Sequence, residues 1–323
     1  MVLVSRRTLR RAVIQQDRAK AGHLVLLGPT ASGKSQLALA LAERRRDLGE
    51  LVELVTVDSM QVYRGMDIGT ASPTAEEMQR VPHHLVDVVD PWSEYSVAEF
   101  TQGANQALDE IQDRGGRAIL VGGTALYLQA LVDNLDLPGR FPSVAAELEA
   151  EADTALHYER LSQLDPAASQ RIEPGNRRRI IRALEVTLGS GRNFSEFGPG
   201  LDTYPETPFL LAGLRVERPV LSERIAKRYE QQMRDGFLQE VQALAARPEG
   251  ISRTAAQALG YRELLSHLAG ECSQEEAVAR AIDRTRQFAV KQIRWFRRDP
   301  RITWFDHTGD PQTVLDELDA FWA

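Results

Sequence analysis

An octapeptide suited to holding phosphate oxygens stands near the start of this chain: Gly28-Pro29-Thr30-Ala31-Ser32-Gly33-Lys34-Ser35. The apolar run His23-Leu24-Val25-Leu26-Leu27 precedes it directly, and a helical pattern over residues 36–45 follows. A glycine-rich turn between a buried strand and a helix N-terminus aims several backbone N–H groups at one point. The lysine adds a mobile cation and the Ser35 hydroxyl is a ligand type for Mg2+, so the stretch is built for a diphosphate or triphosphate. The loop alone does not say whose phosphates it holds.

Other chemically capable residues fall where neighbouring strands end. Residues 51–57 read as an apolar strand interrupted by Glu53, and they end at Asp58-Ser59, the edge at which open parallel sheets place ligands. Asp58 is therefore a site candidate. Ala118-Ile119-Leu120-Val121 reads as a further strand running into Gly122-Gly123-Thr124 and a helix over 125–133. Farther on, Phe209 to Leu214 returns the chain to the sheet, and a helix follows from Pro219 with Leu221, Ile225, Tyr229 and Met233 on one face. Arg224 and Arg228 lie one turn apart on an adjacent face. That spacing suits either a guanidinium pair over a diphosphate or a solvated helix face.

The elements that position these residues alternate as strand and helix. Leu85 to Val89 reads as a short strand, and Ser96-Val97-Ala98-Glu99 as a capping box. From there Val97, Phe100, Ala104, Leu108 and Ile111 recur at helical spacing until Gly115-Gly116. The expected fold is α/β, a P-loop nucleotide-kinase-like parallel sheet with a helical insertion domain. Residues 23–138 and 200–323 form the catalytic core with C-terminal helices. Residues 139–199 form the insertion, with helical stretches at 145–164 and 177–188. Residues 1–22 are a basic extension, with Arg6, Arg7, Arg10, Arg11, Arg18 and Lys20 against Asp17 alone, expected to be disordered and assigned no role.

Composition sets outer limits. The 323 residues are 43% hydrophobic and 26% charged, enough to bury a substantial core. No run of eighteen apolar residues exists, so no membrane span is expected. The single cysteine, Cys272, excludes an intramolecular disulfide or a multi-cysteine zinc site and fits a reducing cytosol. His83 and His84 are adjacent and face opposite ways on an extended segment, which disfavours a shared metal. A net charge of −7 argues against nonspecific polyanion binding by the whole surface while allowing a local basic groove.

Two basic clusters stand against that acidic total. Arg177-Arg178-Arg179 with Arg182 opens a helix in the insertion, and Arg280, Arg284, Arg286, Lys291, Arg294, Arg297, Arg298 and Arg301 crowd a later one. Phe288, Trp295 and Phe296 are interleaved with the second cluster, as stacking partners for bases or as core.

Taken together these stretches resemble the tRNA dimethylallyltransferases (tRNA isopentenyltransferases) of bacterial type. The resemblance is carried by residues 28–35, by 57–71 (Val-Asp-Ser-Met-Gln-Val-Tyr-Arg-Gly-Met-Asp-Ile-Gly-Thr-Ala), and by Val81-Pro-His-His-Leu85. It continues through Val121-Gly-Gly-Thr124, Arg182-Ala-Leu-Glu185, Gly260-Tyr-Arg262 and Trp295-Phe-Arg297. It implies transfer of a dimethylallyl group from its diphosphate to the exocyclic amine of the adenosine immediately 3′ of a tRNA anticodon, in a cytoplasmic, monomeric enzyme. The phosphate loop, residues Gly28, Pro29, Thr30, Ala31, Ser32, Gly33, Lys34 and Ser35, then holds the donor diphosphate with Arg224 and Arg228, and ATP is not the substrate. Ser35 is the expected Mg2+ ligand. Lys34, Asp58 and Thr124 are the expected catalytic residues, with Asp58 as general base. The resemblance further implies tRNA contacts at Asp58, Ser59, Met60, Gln61, Thr124, Arg178, Arg179, Ile180, Ile181, Arg182, Gln257, Gly260, Tyr261, Arg262, Arg286 and Lys291, clasping the anticodon stem-loop.

Two positions depart from the family pattern. Ala145 stands where an arginine is usual, and Ala289-Val290-Lys291-Gln292 replaces an Ala-Lys-Arg-Gln run, each with loss of a positive charge. Other readings share parts of this pattern. A small-molecule kinase shares the loop and sheet, but the strand at 118–121 does not end in aspartate. An enzyme prenylating free adenine nucleotides would not need two arginine-rich clusters, and a noncatalytic RNA-binding module would leave the phosphate loop without a purpose.

Overall fold

The computed structural model describes residues 22–198 and 200–323. All of the expected basic extension except Gly22 lies outside the described residues. In chain order, β1 (Leu24–Leu27) leads through the phosphate loop into α1 (Lys34–Asp47), followed by β2 (Val52–Val57), α2 (Asp67–Thr70), α3 (Ala75–Arg80) and β3 (His83–His84). Next come α4 (Val97–Asp113), β4 (Arg117–Gly122) and α5 (Ala125–Val132). The excursion that follows holds α6 (Pro142–Ala150), α7 (Thr154–Leu164), α8 (Pro166–Arg171) and α9 (Arg177–Ser190). The chain then returns as β5 (Leu210–Arg215), α10 (Arg218–Arg234), α11 (Phe237–Ala245), α12 (Tyr261–Leu268), α13 (Gln274–Phe296), β6 (Thr303–Asp306) and α14 (Pro311–Trp322).

The strands form one parallel sheet in the order β3-β2-β4-β1-β5-β6. Helices cover both faces, which is why β1 and the apolar part of β4 read as continuous hydrophobic runs rather than alternating ones. Alternate residues still divide between faces. Val25, Leu27, Val55, Val57 and Leu120 enter one core, and Leu24, Leu26, Leu54, Ile119 and Val121 the other. Because β1 lies between β4 and β5, the chain builds outward first on one side of β1 and then on the other. The reversal leaves a crevice at the C-terminal end of β1, where the phosphate loop begins.

Several expected elements form as read. α4 is closed by the Ser96/Glu99 capping box, with the Glu99 carboxylate accepting the Ser96 N–H at 2.8 Å. Others differ for identifiable reasons. Leu85 to Val89 is not a strand, because Leu85 and Asp87 take left-handed backbone conformations (φ 61° and 53°). The N–H groups of Asp87 and Val89 bond instead to the carbonyls of Gln61 and Val62. The helical stretch expected over 145–164 is two helices, since Asp153 caps a new one by accepting the Ala155 N–H at 2.8 Å. β6 had no sequence expectation.

The chain divides into two compact units, Asp133–Pro205 and the remainder, so the insertion is wider at both ends than the expected 139–199. Within the larger unit the ends flanking the excursion are tied together, as the Thr207 hydroxyl donates to the Val132 carbonyl at 3.1 Å. The smaller unit has its own core of Leu148, Leu161, Ala168, Ile172, Ile180, Ile181, Ala183 and Leu184. Among the described residues no helix is long and apolar enough to cross a membrane.

Candidate active site

The phosphate loop closes on itself through the Ser32 N–H to the Pro29 carbonyl (3.2 Å) and passes into α1 through the Leu37 N–H to the Gly33 carbonyl (3.1 Å). Ala31 and Gly33 both have positive φ, 60° and 88°, a backbone that turns consecutive N–H groups into a concave anion seat. α1 has no acid in its first turn, so the partial positive charge of its N-terminus is uncompensated. The Ser32 hydroxyl is buried and has no hydrogen-bond partner, an orphan polar atom inside the loop. Lys34 Nζ lies 3.4 Å from the Pro29 carbonyl, and Ser35 is exposed at the rim.

Both arginines of α10 reach this loop. Arg224 Nη1 is 3.4 Å from the Ser32 carbonyl, and Arg228 Nη1 is 3.3 Å from Thr30 Oγ1, with its Nη2 3.3 Å from the Gly69 carbonyl. The contacts place the pair on the phosphate loop rather than on a solvated helix face. Burial pulls the Lys34 ammonium down to about 8, the carboxylate of Asp58 partly restores it, and Arg228 lowers it further. Lys34, Asp58 and Arg228 thus lie within one another's fields. Burial likewise lowers Arg228 from the usual arginine value.

Lys34 carries its charge below about pH 8 and loses it above, so affinity for a diphosphate ester should weaken as pH rises from 7 to 9. Titration of binding by calorimetry checks this, with Lys34→Ala expected to flatten the alkaline limb. A profile identical in the variant would assign the limb to another group.

On the neighbouring strand ends, Asp58 follows β2 and its Oδ1 accepts the Met60 N–H at 2.8 Å. Thr124 follows β4, donates its N–H to the Val57 carbonyl (3.3 Å) and accepts the Ser59 N–H on its hydroxyl (3.1 Å). Its hydroxyl also lies 3.4 Å from Ser59 Oγ. β2 and β4 approach so closely here that a Cβ on Gly122 would stand 2.0 Å from the Val57 carbonyl oxygen. Asp58, Ser59 and Thr124 are therefore locked as one assembly. Met60 packs half-buried against the core, and the Gln61 carboxamide donates to the carbonyls of Thr70 (3.2 Å) and Ala71 (2.9 Å), which organises its own segment.

The remaining expected tRNA residues separate into surface and core. Gln257 and Arg262 are exposed and line one pocket together with Arg253. Tyr261, by contrast, is buried: its hydroxyl donates to Glu240, and burial pushes the phenol's pKa well up. Gly260 is buried too, with φ 89° and no room for a Cβ beside Phe237. In the Asp133–Pro205 unit, Arg178 and Arg179 are exposed, but Ile180 and Ile181 point into that unit's core. Side chains of Tyr261, Ile180 and Ile181 accordingly serve packing. Arg182 is held by the carbonyls of Pro138 (2.7 Å) and Gly139 (3.1 Å) and by Glu185 (2.8 Å). On α13, Lys291 is exposed, Arg286 pairs with Asp283 at 3.0 Å, and Arg284 with Glu263 at 2.5 Å. Phe288 is exposed whereas Phe296 is core and Trp295 donates its indole N–H to Gln129 Oε1 at 3.2 Å.

Two residues at the site had no assigned role in the sequence. Gln292 of α13 reaches both the phosphate loop and Gly123. His307, just past β6, is buried against the loop, its Nε2 only 2.8 Å from where a Cβ on Gly33 would lie. Burial and the Arg224 charge hold His307 below the ordinary histidine value, opposed by Asp306. No local pattern marks His307. Gln292 at least stands within the 289–292 run.

The fold is that of a phosphate-loop α/β protein carrying a helical insertion. Residues 61–299 match the family model described as IPP transferase. The chain belongs to the tRNA dimethylallyltransferase family. It is 42% identical over 314 residues to the tRNA dimethylallyltransferase of Geobacter metallireducens, covering 95% of this chain and 99% of that one. It is 46% identical over 299 residues to that of Streptomyces coelicolor, covering 91% and 93%. Among solved structures, the full-length tRNA isopentenylpyrophosphate transferase of Bacillus halodurans matches with TM-score 0.67 and 38% identity, covering 93% of this chain and 95% of that one. A eukaryotic dimethylallyltransferase acting on tRNA matches with TM-score 0.73 and 27% identity, covering 88% and 74%.

Proposed function

We propose that this protein transfers the dimethylallyl group of dimethylallyl diphosphate to the exocyclic amine of the adenosine 3′-adjacent to the anticodon in tRNA, giving isopentenyladenosine and diphosphate. The observation that carries the reading is the convergence of Lys34, Arg224 and Arg228 on one phosphate loop beside the Asp58–Thr124 assembly. Breaking the allylic C–O bond moves an electron pair onto the leaving diphosphate. The Lys34 ammonium, the two guanidiniums and the loop N–H groups stabilise that charge. The amine nitrogen forms the new C–N bond and gives up a proton, which the Asp58 carboxylate accepts. Thr124 holds the Ser59 backbone and so fixes the approach to Asp58.

The donor set also fits Mg2+. The ion favours hard oxygens, takes one or two from protein and completes its octahedron from phosphates and water. Ser35 Oγ at the rim would be the protein ligand. When bound, the ion neutralises charge on the diphosphate as a Lewis acid.

Arg178, Arg179, Gln257, Arg262 and Lys291 are the exposed residues we assign to the anticodon stem-loop. The acceptor base leaves its stack to meet the donor. The enzyme acts as a cytoplasmic monomer. The kinase alternative loses ground because β4 ends in Gly122 and continues as Gly123-Thr124, with no aspartate there.

Incubation with labelled dimethylallyl diphosphate and unmodified tRNA, AMP or ATP decides the acceptor: label on tRNA alone is expected, and label on a free nucleotide overturns the reading. Replacing Arg178 and Arg179 by alanine should weaken tRNA binding and lower the slope of log affinity against log salt by about 1 to 2. Binding measured across a salt series checks it. An unchanged slope would remove this helix from the RNA interface.

A further inference from the structure

Gln292 is buried, and each end of its carboxamide is engaged. Oε1 accepts the Thr30 N–H at 2.9 Å, and Nε2 donates to the Gly123 carbonyl at 2.8 Å. Thr30 belongs to the phosphate loop, and Gly123 immediately precedes Thr124. One side chain therefore spans the donor side of the site and the turn that carries Thr124 and, through it, Ser59 and Asp58.

The contact is specific to a carboxamide of this length. Such a group offers an acceptor and a donor together in a fixed fork. A carboxylate would set an oxygen against the Gly123 carbonyl, and an apolar side chain would leave a buried N–H and a buried C=O without partners. Gly123 makes room for the contact, since a Cβ there would stand 2.4 Å from Gln292 Nε2 and 3.2 Å from the Gly28 carbonyl. The Thr30 N–H is thereby committed to Gln292 and does not belong to the diphosphate-binding set, although Thr30 Oγ1 takes part through Arg228.

α13 is in turn pinned where it carries Gln292. Thr285 shares a hydrogen bond with the Tyr229 hydroxyl at 2.9 Å, and Trp295 reaches Gln129. Gln292 thus projects from a helix held on both sides, which suits a spacer better than a mobile contact.

We propose that Gln292 is a positioning residue of the transfer reaction: its carboxamide fixes the gap between the phosphate loop and the Gly123–Thr124 turn, and so the reach from the allylic carbon to the acceptor amine. This rests on reading the site as a prenyl-transfer centre. Small errors in such a gap cost rate far more than affinity, on the order of a hundredfold for a displacement near 1 Å.

The test compares wild type with Gln292→Glu, Gln292→Met and Gly123→Ala, the last displacing the carboxamide while Gln292 itself is kept. For each, single-turnover rate at saturating donor and tRNA, separate dissociation constants for both substrates, and a thermal melt are measured. The expected result is a rate lowered by about tenfold to a hundredfold in all three, with both dissociation constants within about threefold of wild type and a cooperative melt. Folded variants with a lower melting temperature but an unchanged saturated rate would make Gln292 a stabilising contact only and overturn the proposal. Loss of affinity in proportion to rate would also overturn it. Should Gln292→Met not fold, the other two variants decide on the same criteria. A wild type that labels no tRNA would overturn the functional reading and this role together, an outcome distinct from active wild type with equally active variants.

Discussion

Asp58→Asn is expected to lower the single-turnover rate of transfer by about a hundredfold to ten-thousandfold while leaving affinity for tRNA and for dimethylallyl diphosphate nearly unchanged. The amide preserves size and can still accept the Met60 N–H that holds the side chain at 2.8 Å in the native protein. What it cannot do is take the amine proton. Removing a full negative charge near Lys34 and Arg228 acts on the donor in two opposed ways: the field at the loop becomes more positive, while the Lys34 ammonium loses the carboxylate that raises its pKa, so donor affinity changes little. Rate and donor affinity should therefore move apart, and measuring both on one variant separates a base from a residue that assembles the site. If donor affinity collapsed with the rate, Asp58 would be acting through Mg2+ or through loop geometry, and the base would lie elsewhere.

Lys34→Ala should reduce turnover by about a hundredfold or more. The ammonium works in a site whose burial already lowers it to about 8, so its interaction with an anion is little shielded by solvent. Charge on the bridging oxygen grows as the C–O bond breaks, and a cation beside it gains most in the transition state. Loss of kcat should accordingly exceed loss of donor affinity. Steady-state kinetics with direct donor binding tests this, and near-normal kcat would remove Lys34 from the chemistry.

The parts of this molecule that were readable from sequence are those in which the determining residues are contiguous. The phosphate loop needs only its own eight residues and a flanking strand and helix. The Ser96/Glu99 box declares the start of α4 within four positions. Arg224 and Arg228 were readable as a pair but not as to their partner, because reaching Thr30 spans 198 positions of chain. Gln292 and Thr30 are 262 positions apart, so no local pattern links them. Residues 85–89 show the converse failure. Their apolar composition suits a strand, yet Leu85 and Asp87 take left-handed backbone and the N–H groups of Asp87 and Val89 bond to the distant Gln61 and Val62. Tyr261 and Ile180 illustrate a third limit, since a motif can run through a helix of which only one face is at the surface.

The hydrogen bond from Thr207 to the Val132 carbonyl joins the strands of chain on either side of the excursion. An excursion that leaves and returns at one point is topologically a graft, because a short linker there would close the larger unit with little loop entropy. Exposed Arg178 and Arg179 belong to the grafted piece, while the phosphate loop, Asp58 and Thr124 belong wholly to its host. On the proposed roles, one part of the tRNA grip is written on a physically separable length of polypeptide, while the bond chemistry and the rest of that grip, Gln257, Arg262 and Lys291, stay with the host. An ancestor could therefore have changed that part without rebuilding the chemistry, and an engineer can do the same.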